Sequence, residues 1–117
     1  MNSINLTGRL TADPELRETQ SGAPVGNMRI AVARRRGRDG EDRGAVFVDV
    51  VTFGGLAQVC AEHLEKGRQV AVSGRLELDE WETDAGERRS RHKVIADEVE
   101  FLGTRRQDDD TSEEESS

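Results

Sequence analysis

Apolar and polar residues alternate with a period of two in five segments of the chain, which is the pattern of strands that bury one face. After Gly54 and Gly55 the period changes to that of a helix, and Lys66 with Gly67 supplies a helix stop. The helical apolar positions are Leu56, Val59, Cys60 and Leu64. The predicted strands are residues 3–10, 25–33, 45–53, 68–78 and 88–102.

The order of these elements predicts the fold class. Five strands with one helix between the third and the fourth indicate an all-β fold, the five-stranded Greek-key barrel of the OB type. An α+β sandwich has the same element order and is the alternative. Residues 34–44 hold three glycines and no apolar side chain, so they predict a long loop after the second strand. Gly74 predicts a bulge, and residues 83–86 predict a turn.

Acidic residues are concentrated at the C-terminus. The net charge is −7, but residues 107–117 hold six acids and no base, which leaves 18 acids and 17 bases in the rest of the chain. We therefore predict a folded domain over residues 1–104 and a disordered acidic tail over 105–117. Because the folded part is almost neutral, the acidic overall charge does not argue against a nucleic-acid partner.

Several classes of protein are disfavoured by what the chain lacks. No apolar run approaches the roughly 20 residues of a membrane span, and the N-terminus does not have the pattern of a signal peptide. The single cysteine excludes an internal disulfide and indicates a cytoplasmic protein. No glycine-rich phosphate loop is present, Cys60 lies on the apolar helix face, and His63 and His92 are isolated. We expect no enzymatic activity, no metal and no cofactor.

Three of the four aromatic residues are placed where a core would not hold them. In the third predicted strand, Phe47 and Phe53 share one face, and the opposite face carries a row of Val46, Val48, Val50 and Thr52. If the valine row is inside, both rings are exposed, and Trp81 lies among acidic and polar neighbours. Burial of all these rings in the core is the alternative interpretation. Exposed rings on strands favour stacking of nucleic-acid bases.

Basic residues form two clusters, one in the loop after the second strand and one in the last strand. A solvated charged surface is the ordinary interpretation of such a cluster. Because each cluster lies beside an exposed aromatic residue in the predicted fold, we interpret them as contacts to phosphates. The predicted phosphate-binding residues are Arg34, Arg35, Arg36, Arg88, Arg89, Arg91 and Lys93.

Four segments in order resemble the bacterial single-stranded DNA-binding proteins, over about residues 2–103. They are INLTGRLTADPELR at 4–17, FVDVVTFGGLAQV at 47–59, HLEKGRQVAVSGRLE at 63–77 and W-x-x-x-x-G at 81–86. The resemblance implies an OB fold, a homotetramer, and binding of single strands without sequence preference during replication, repair and recombination, in the cytoplasm at the nucleoid. It also implies that Phe47, Phe53 and Trp81 stack bases. Single-stranded RNA binding and a protein–protein adaptor function on the same fold remain alternatives.

The sequence departs from that family at several positions. A further stacking aromatic of the family falls here at residues 34–36, where Arg36 can stack in its place. Asp49 lies on the aromatic side of its strand, Gly55 stands where a lysine is common, and acidic residues precede Trp81. The family's Pro-Phe tip, which recruits replication and repair proteins, is replaced by Glu-Ser-Ser. We expect weaker DNA binding than in the family, and tighter binding at low salt if the chain is truncated at Gln107.

Overall fold

The computed structural model describes residues 1–35 and 44–103. Most of the predicted loop after the second predicted strand, including Arg36, and the predicted acidic tail lie outside the described residues. The strands and the helix, in chain order, are β1 (Ile4–Leu10), β2 (Glu15–Glu18), β3 (Pro24–Ala33), β4 (Ala45–Phe53), α1 (Gly54–His63), β5 (Gln69–Glu82) and β6 (Arg88–Leu102).

The strand pairings form a closed ring. Strand β1 pairs with β5, β5 with β6, β6 with β4, β4 with β3, and β3 pairs back with β1 through Arg9 and Leu10. All these pairings are antiparallel except that of β4 with β6, where Val50 is opposite Val94 and Val51 is opposite Ile95. The five long strands therefore form the predicted OB-type barrel rather than a sandwich, with α1 between β4 and β5.

Two features of the strands differ from the prediction. Strand β2 is a sixth, short strand that pairs with β3, in a segment for which the sequence predicts no strand. All four of its residues are exposed, so it has no alternation for a periodicity argument to detect. Strand β5 continues to Glu82, because its pairing with β6 runs out to Glu82 opposite Arg88. Trp81 therefore lies within a strand rather than after one, on a two-stranded arm.

The core lies inside the barrel and is closed by one face of α1. Its fully buried side chains include Ile30, Val50, Val70, Val72 and Val94, and Cys60 of the helix joins the same cluster. Burial raises the pKa of the Cys60 thiol to about 11, so it stays protonated at neutral pH, as its predicted place in the core requires. One predicted core position is wrong, because Val59 is exposed.

The helix ends earlier than Lys66 and Gly67 suggest. It ends at His63, and the extended cap residue Leu64 donates its backbone N–H to the Cys60 carbonyl at 2.9 Å while its side chain is buried in the core. Gly67 has φ +90° in the turn that follows, and its N–H donates to the Leu10 carbonyl at 2.8 Å. The glycine therefore shapes the turn into β5 and does not cap the helix.

The predicted bulge at Gly74 is confirmed. The pairing of β5 with β6 shifts register between Ser73 and Gly74. A side chain at this position would overlap the Ile95 carbonyl oxygen and would lie 2.9 Å from the Ala96 Cα. Only glycine allows the two backbones to approach this closely, and the bulge bends β5 at the point where it leaves the barrel for the arm.

Candidate nucleic-acid interface

The alternation in β4 exposes the two phenylalanine rings, as the sequence predicts. Val50 and Thr52 are almost completely buried, whereas Phe47 is 55% and Phe53 50% exposed. Two neighbours depart from the simple pattern. Val46 is exposed although it lies on the valine side, and Val51 is buried although it lies on the phenylalanine side, where it packs with Val25 and Ile95.

The strand register places Trp81 on the same side of the sheet as the phenylalanines. Val51 of β4 is opposite Ile95 of β6, and side chains two residues apart in a strand point the same way. The same side of β6 therefore carries Ile95 and, toward the start of the strand, Lys93, Arg91 and Arg89. Arg89 is opposite Trp81 of β5, and the Trp81 side chain is 44% exposed. We call this outer surface of β2, β3, β4, β6 and β5 the aromatic face.

A groove of about 620 Å³ runs along the aromatic face. Phe53, Val51 and Val25 give it an apolar floor, and strands β2 to β6 each contribute charged side chains around that floor. The charged lining residues that bear on the argument are Arg17, Arg29, Asp49, Asp79, Arg91 and Lys93. An apolar floor with charged groups around it suits a flat base whose phosphates remain at the edge.

All four basic residues predicted on the last strand are present on β6, and each has a carboxylate partner. Three of them lie on the aromatic face, whereas Arg88 falls on the opposite side by the alternation of the strand. The ion pairs are Arg88 with Glu80 (3.7 Å), Arg89 with Glu87 (3.1 Å), Arg91 with Asp49 (3.4 Å) and Lys93 with Asp79 (2.8 Å). The structure thus brings Arg91 and Lys93 of the predicted cluster to the groove lining, each already paired with a carboxylate.

The other predicted basic cluster lies at the end of β3. Arg34 and Arg35 are exposed and follow Ala33, and the backbone N–H of Arg34 donates to the Gly44 carbonyl at 3.0 Å. Neither side chain lines the groove. The third member of the cluster, Arg36, lies outside the described residues.

Two arginines of the groove were missed in the sequence. The Arg29 guanidinium lies 5.3 Å from the centre of the Phe47 ring, within the range of a cation–π contact. Arg17 of β2 is opposite Val25 of β3, which is opposite Phe53 of β4. The alternation of Arg29 with Met28 and Ile30 marks it as exposed, but only the strand pairing shows that it lies beside a ring.

Within residues 1–35 and 44–103, no group of three acidic, histidine or cysteine side chains is arranged to hold a metal ion. No helix in that part of the chain is long and apolar enough to span a membrane. The buried thiol of Cys60 lies away from the groove lining and is protonated, so it is not an activated nucleophile.

An OB-type barrel with exposed aromatic rings and arginines on one outer face is typical of modules that bind single-stranded nucleic acid. Sequence comparison agrees with this class. The profile of the Single-strand binding protein family matches residues 1–102, and the chain belongs to that family.

Individual relatives show the same extent of similarity. The Single-stranded DNA-binding protein of Thermotoga maritima is 43% identical over 103 residues, which are 86% of this chain and 73% of that protein. The proteins of the same name from Clostridium tetani and Caldanaerobacter subterraneus are 42% and 39% identical, over 87% of this chain in both cases and over 70% and 68% of their own lengths. The shared region covers the barrel that carries the aromatic face.

Proposed function

We propose that this protein binds single-stranded DNA without sequence preference, through stacking of bases on Phe47, Phe53 and Trp81. The proposal is supported by three half-exposed rings on the aromatic face, on strands that the register brings together. Stacking is worth roughly 1–3 kcal/mol for each base and works for every base, because each has a π face. Duplex DNA keeps its bases stacked on one another and cannot offer them to these rings.

The cationic side chains near the rings supply the attraction for phosphates. The predicted set comprises Arg34, Arg35, Arg36, Arg88, Arg89, Arg91 and Lys93. Because four of these residues already have carboxylate partners, their contribution to the affinity depends on how readily those pairs open.

The proposed role is to coat and protect exposed strands during replication, repair and recombination, in the cytoplasm at the nucleoid, as a homotetramer. Membership of the single-strand binding protein family and relatives named for single-stranded DNA binding support this role. Sedimentation equilibrium tests the assembly: the mass of a tetramer is expected, and a mass of about 13 kDa for a monomer contradicts it.

Trp81 is the only tryptophan, so its fluorescence tests the function directly. We expect strong quenching when the protein is titrated with oligo-dT and little change with duplex DNA of the same length. Matched RNA oligomers in competition distinguish DNA from RNA preference. If oligo-dT neither quenches Trp81 nor binds, the proposal is wrong and an adaptor function, in which the rings contact another protein, takes its place.

A further inference from the structure

The cations of the aromatic face fall into two groups that the sequence does not separate. On β6, Arg89, Arg91 and Lys93 each have a carboxylate partner. On β2 and β3, Arg17 and Arg29 are exposed, and no carboxylate among residues 1–35 and 44–103 is within salt-bridge distance of either. The two sides of one groove therefore differ in how their cations are paired, although the carboxylates of Asp13 and Glu15 also line the β2 side.

On the β6 side of the groove, the shortest ion pair is that of Lys93 with Asp79. The Lys93 ammonium lies 2.8 Å from Asp79 Oδ1, and the Lys93 side chain is only 22% exposed. Arg91 lies 3.4 Å from Asp49, whose side chain is 31% exposed. A phosphate that takes either cation must displace a carboxylate and leave it unpaired next to the negatively charged strand. The exchange therefore yields little net attraction.

The β2–β3 side offers its charge without such an exchange among residues 1–35 and 44–103. Asp49 is directly opposite Arg29 in the strand register, yet its carboxylate contacts Arg91, and the Arg29 guanidinium lies over Phe47 instead. Arg17 is in register with Val25 and, through it, with Phe53. Arg29 thus contacts one ring of β4, and Arg17 lies in the same register row as the other ring, two strands away from it.

We propose that Arg17 and Arg29 make the principal phosphate contacts of the bound strand, and that Asp49 and Asp79 withhold Arg91 and Lys93 from it. This inference rests on the proposed function. It places the sugar-phosphate backbone along the β2–β3 side of the aromatic face, with the bases directed toward β4 and the arm. The acids on β4 and β5 then set the affinity of the face without contacting the DNA themselves.

The test compares oligo-dT affinity and its salt dependence in three kinds of variant of the full chain. Arg17→Gln and Arg29→Gln each remove an unpaired cation. The double variant Asp79→Asn with Lys93→Gln removes a whole ion pair and keeps the net charge. Asp79→Asn alone releases Lys93, and Glu98→Gln is its control, because it removes one negative charge from an exposed position of β6 that does not line the groove.

Each phosphate contact contributes about 0.7 to the slope of log K against log salt. We therefore expect Arg17→Gln and Arg29→Gln to weaken binding by about eightfold at about 50 mM salt and about threefold at about 200 mM, with the slope reduced by about 0.7 each. We expect the pair deletion to leave affinity within about twofold of wild type, because Asp79 already neutralises Lys93 and the deletion removes no charge that the strand could use. Asp79→Asn should tighten binding and steepen the slope, and Glu98→Gln should do neither.

The opposite pattern overturns the inference. If the double variant Asp79→Asn with Lys93→Gln binds oligo-dT more weakly, while Arg17→Gln and Arg29→Gln bind it as tightly as wild type, the phosphates contact β6. An Asp79→Asn variant that binds no more tightly than wild type also overturns it. Failure of the proposed function looks different, because the wild-type protein itself then does not bind oligo-dT. Far-ultraviolet circular dichroism and a thermal melt of each variant confirm that the barrel is intact.

Discussion

Replacement of Phe53 by leucine isolates the stacking contribution of one ring. The side chain is half exposed, and its backbone, with φ −132° and ψ 154°, forms the N-cap of α1 without a side-chain capping bond. Leucine adopts the same extended backbone and keeps an apolar surface, so the helix start is preserved. The substitution removes the π face and little else.

The expected magnitude follows from the exposure of the ring. A stacked base is worth roughly 1–3 kcal/mol, and leucine retains part of the apolar contact, so the affinity for oligo-dT should fall by about 1–2 kcal/mol. This corresponds to about 5- to 30-fold. Because the ring is only half buried, the free energy of unfolding should fall by less than about 1 kcal/mol. Stacking neutralises no phosphate, so the slope of log K against log salt should not change.

Trp81 remains in this variant and reports binding by its fluorescence. Phe101→Leu is the matched control, because Phe101 is half-buried, packs against the core cluster and does not line the groove. It should lower the midpoint of urea unfolding more than Phe53→Leu does, with unchanged DNA affinity. The reasoning is refuted if Phe53→Leu binds oligo-dT as tightly as wild type, or if Phe101→Leu loses as much affinity.

Three further predictions concern the rest of the molecule. Trp81→Leu should weaken oligo-dT binding by about 1–2 kcal/mol at every salt concentration, measured by fluorescence anisotropy of a labelled oligonucleotide; an unchanged Kd would remove Trp81 from the site. Gly74→Ala should lower the free energy of unfolding by about 1–3 kcal/mol in a urea titration, because its Cβ meets the Ile95 carbonyl; a wild-type midpoint contradicts the close approach of the strands. The pKa of Cys60 rises from 9.0 to about 11 on folding, so the folded state holds the thiol proton more tightly than the unfolded state. The contribution of this thiol to the free energy of unfolding should therefore be fully present below about pH 9, and up to about 3 kcal/mol of it should be lost as the pH rises through 11. Cys60→Ala should lose this part of the pH dependence, and an equal decline in both proteins would refute its assignment to the thiol.

The sequence alone determined the faces of individual strands. In β4, period two separates Val50 and Thr52 from Phe47 and Phe53, and the burial of the first pair and exposure of the second follow that division. The reason is local, because successive side chains of any strand point to opposite sides whatever the strand pairs with. The element order, the bulge at Gly74 and the place of Cys60 in the core were predictable for similarly local reasons.

Only the tertiary structure decided which faces lie together and which charges remain available. The strand β2, the burial of Val51 and the place of Arg29 beside Phe47 all depend on neighbours that are distant in sequence. The same holds for the ion pair of Arg91 with Asp49, which joins β6 to β4. Periodicity states on which side of its own strand a residue lies. Register and ring closure place strands side by side through backbone hydrogen bonds that any residue can make, so the sequence does not show which strands are neighbours. Those neighbours supply the carboxylates that neutralise the basic cluster of β6.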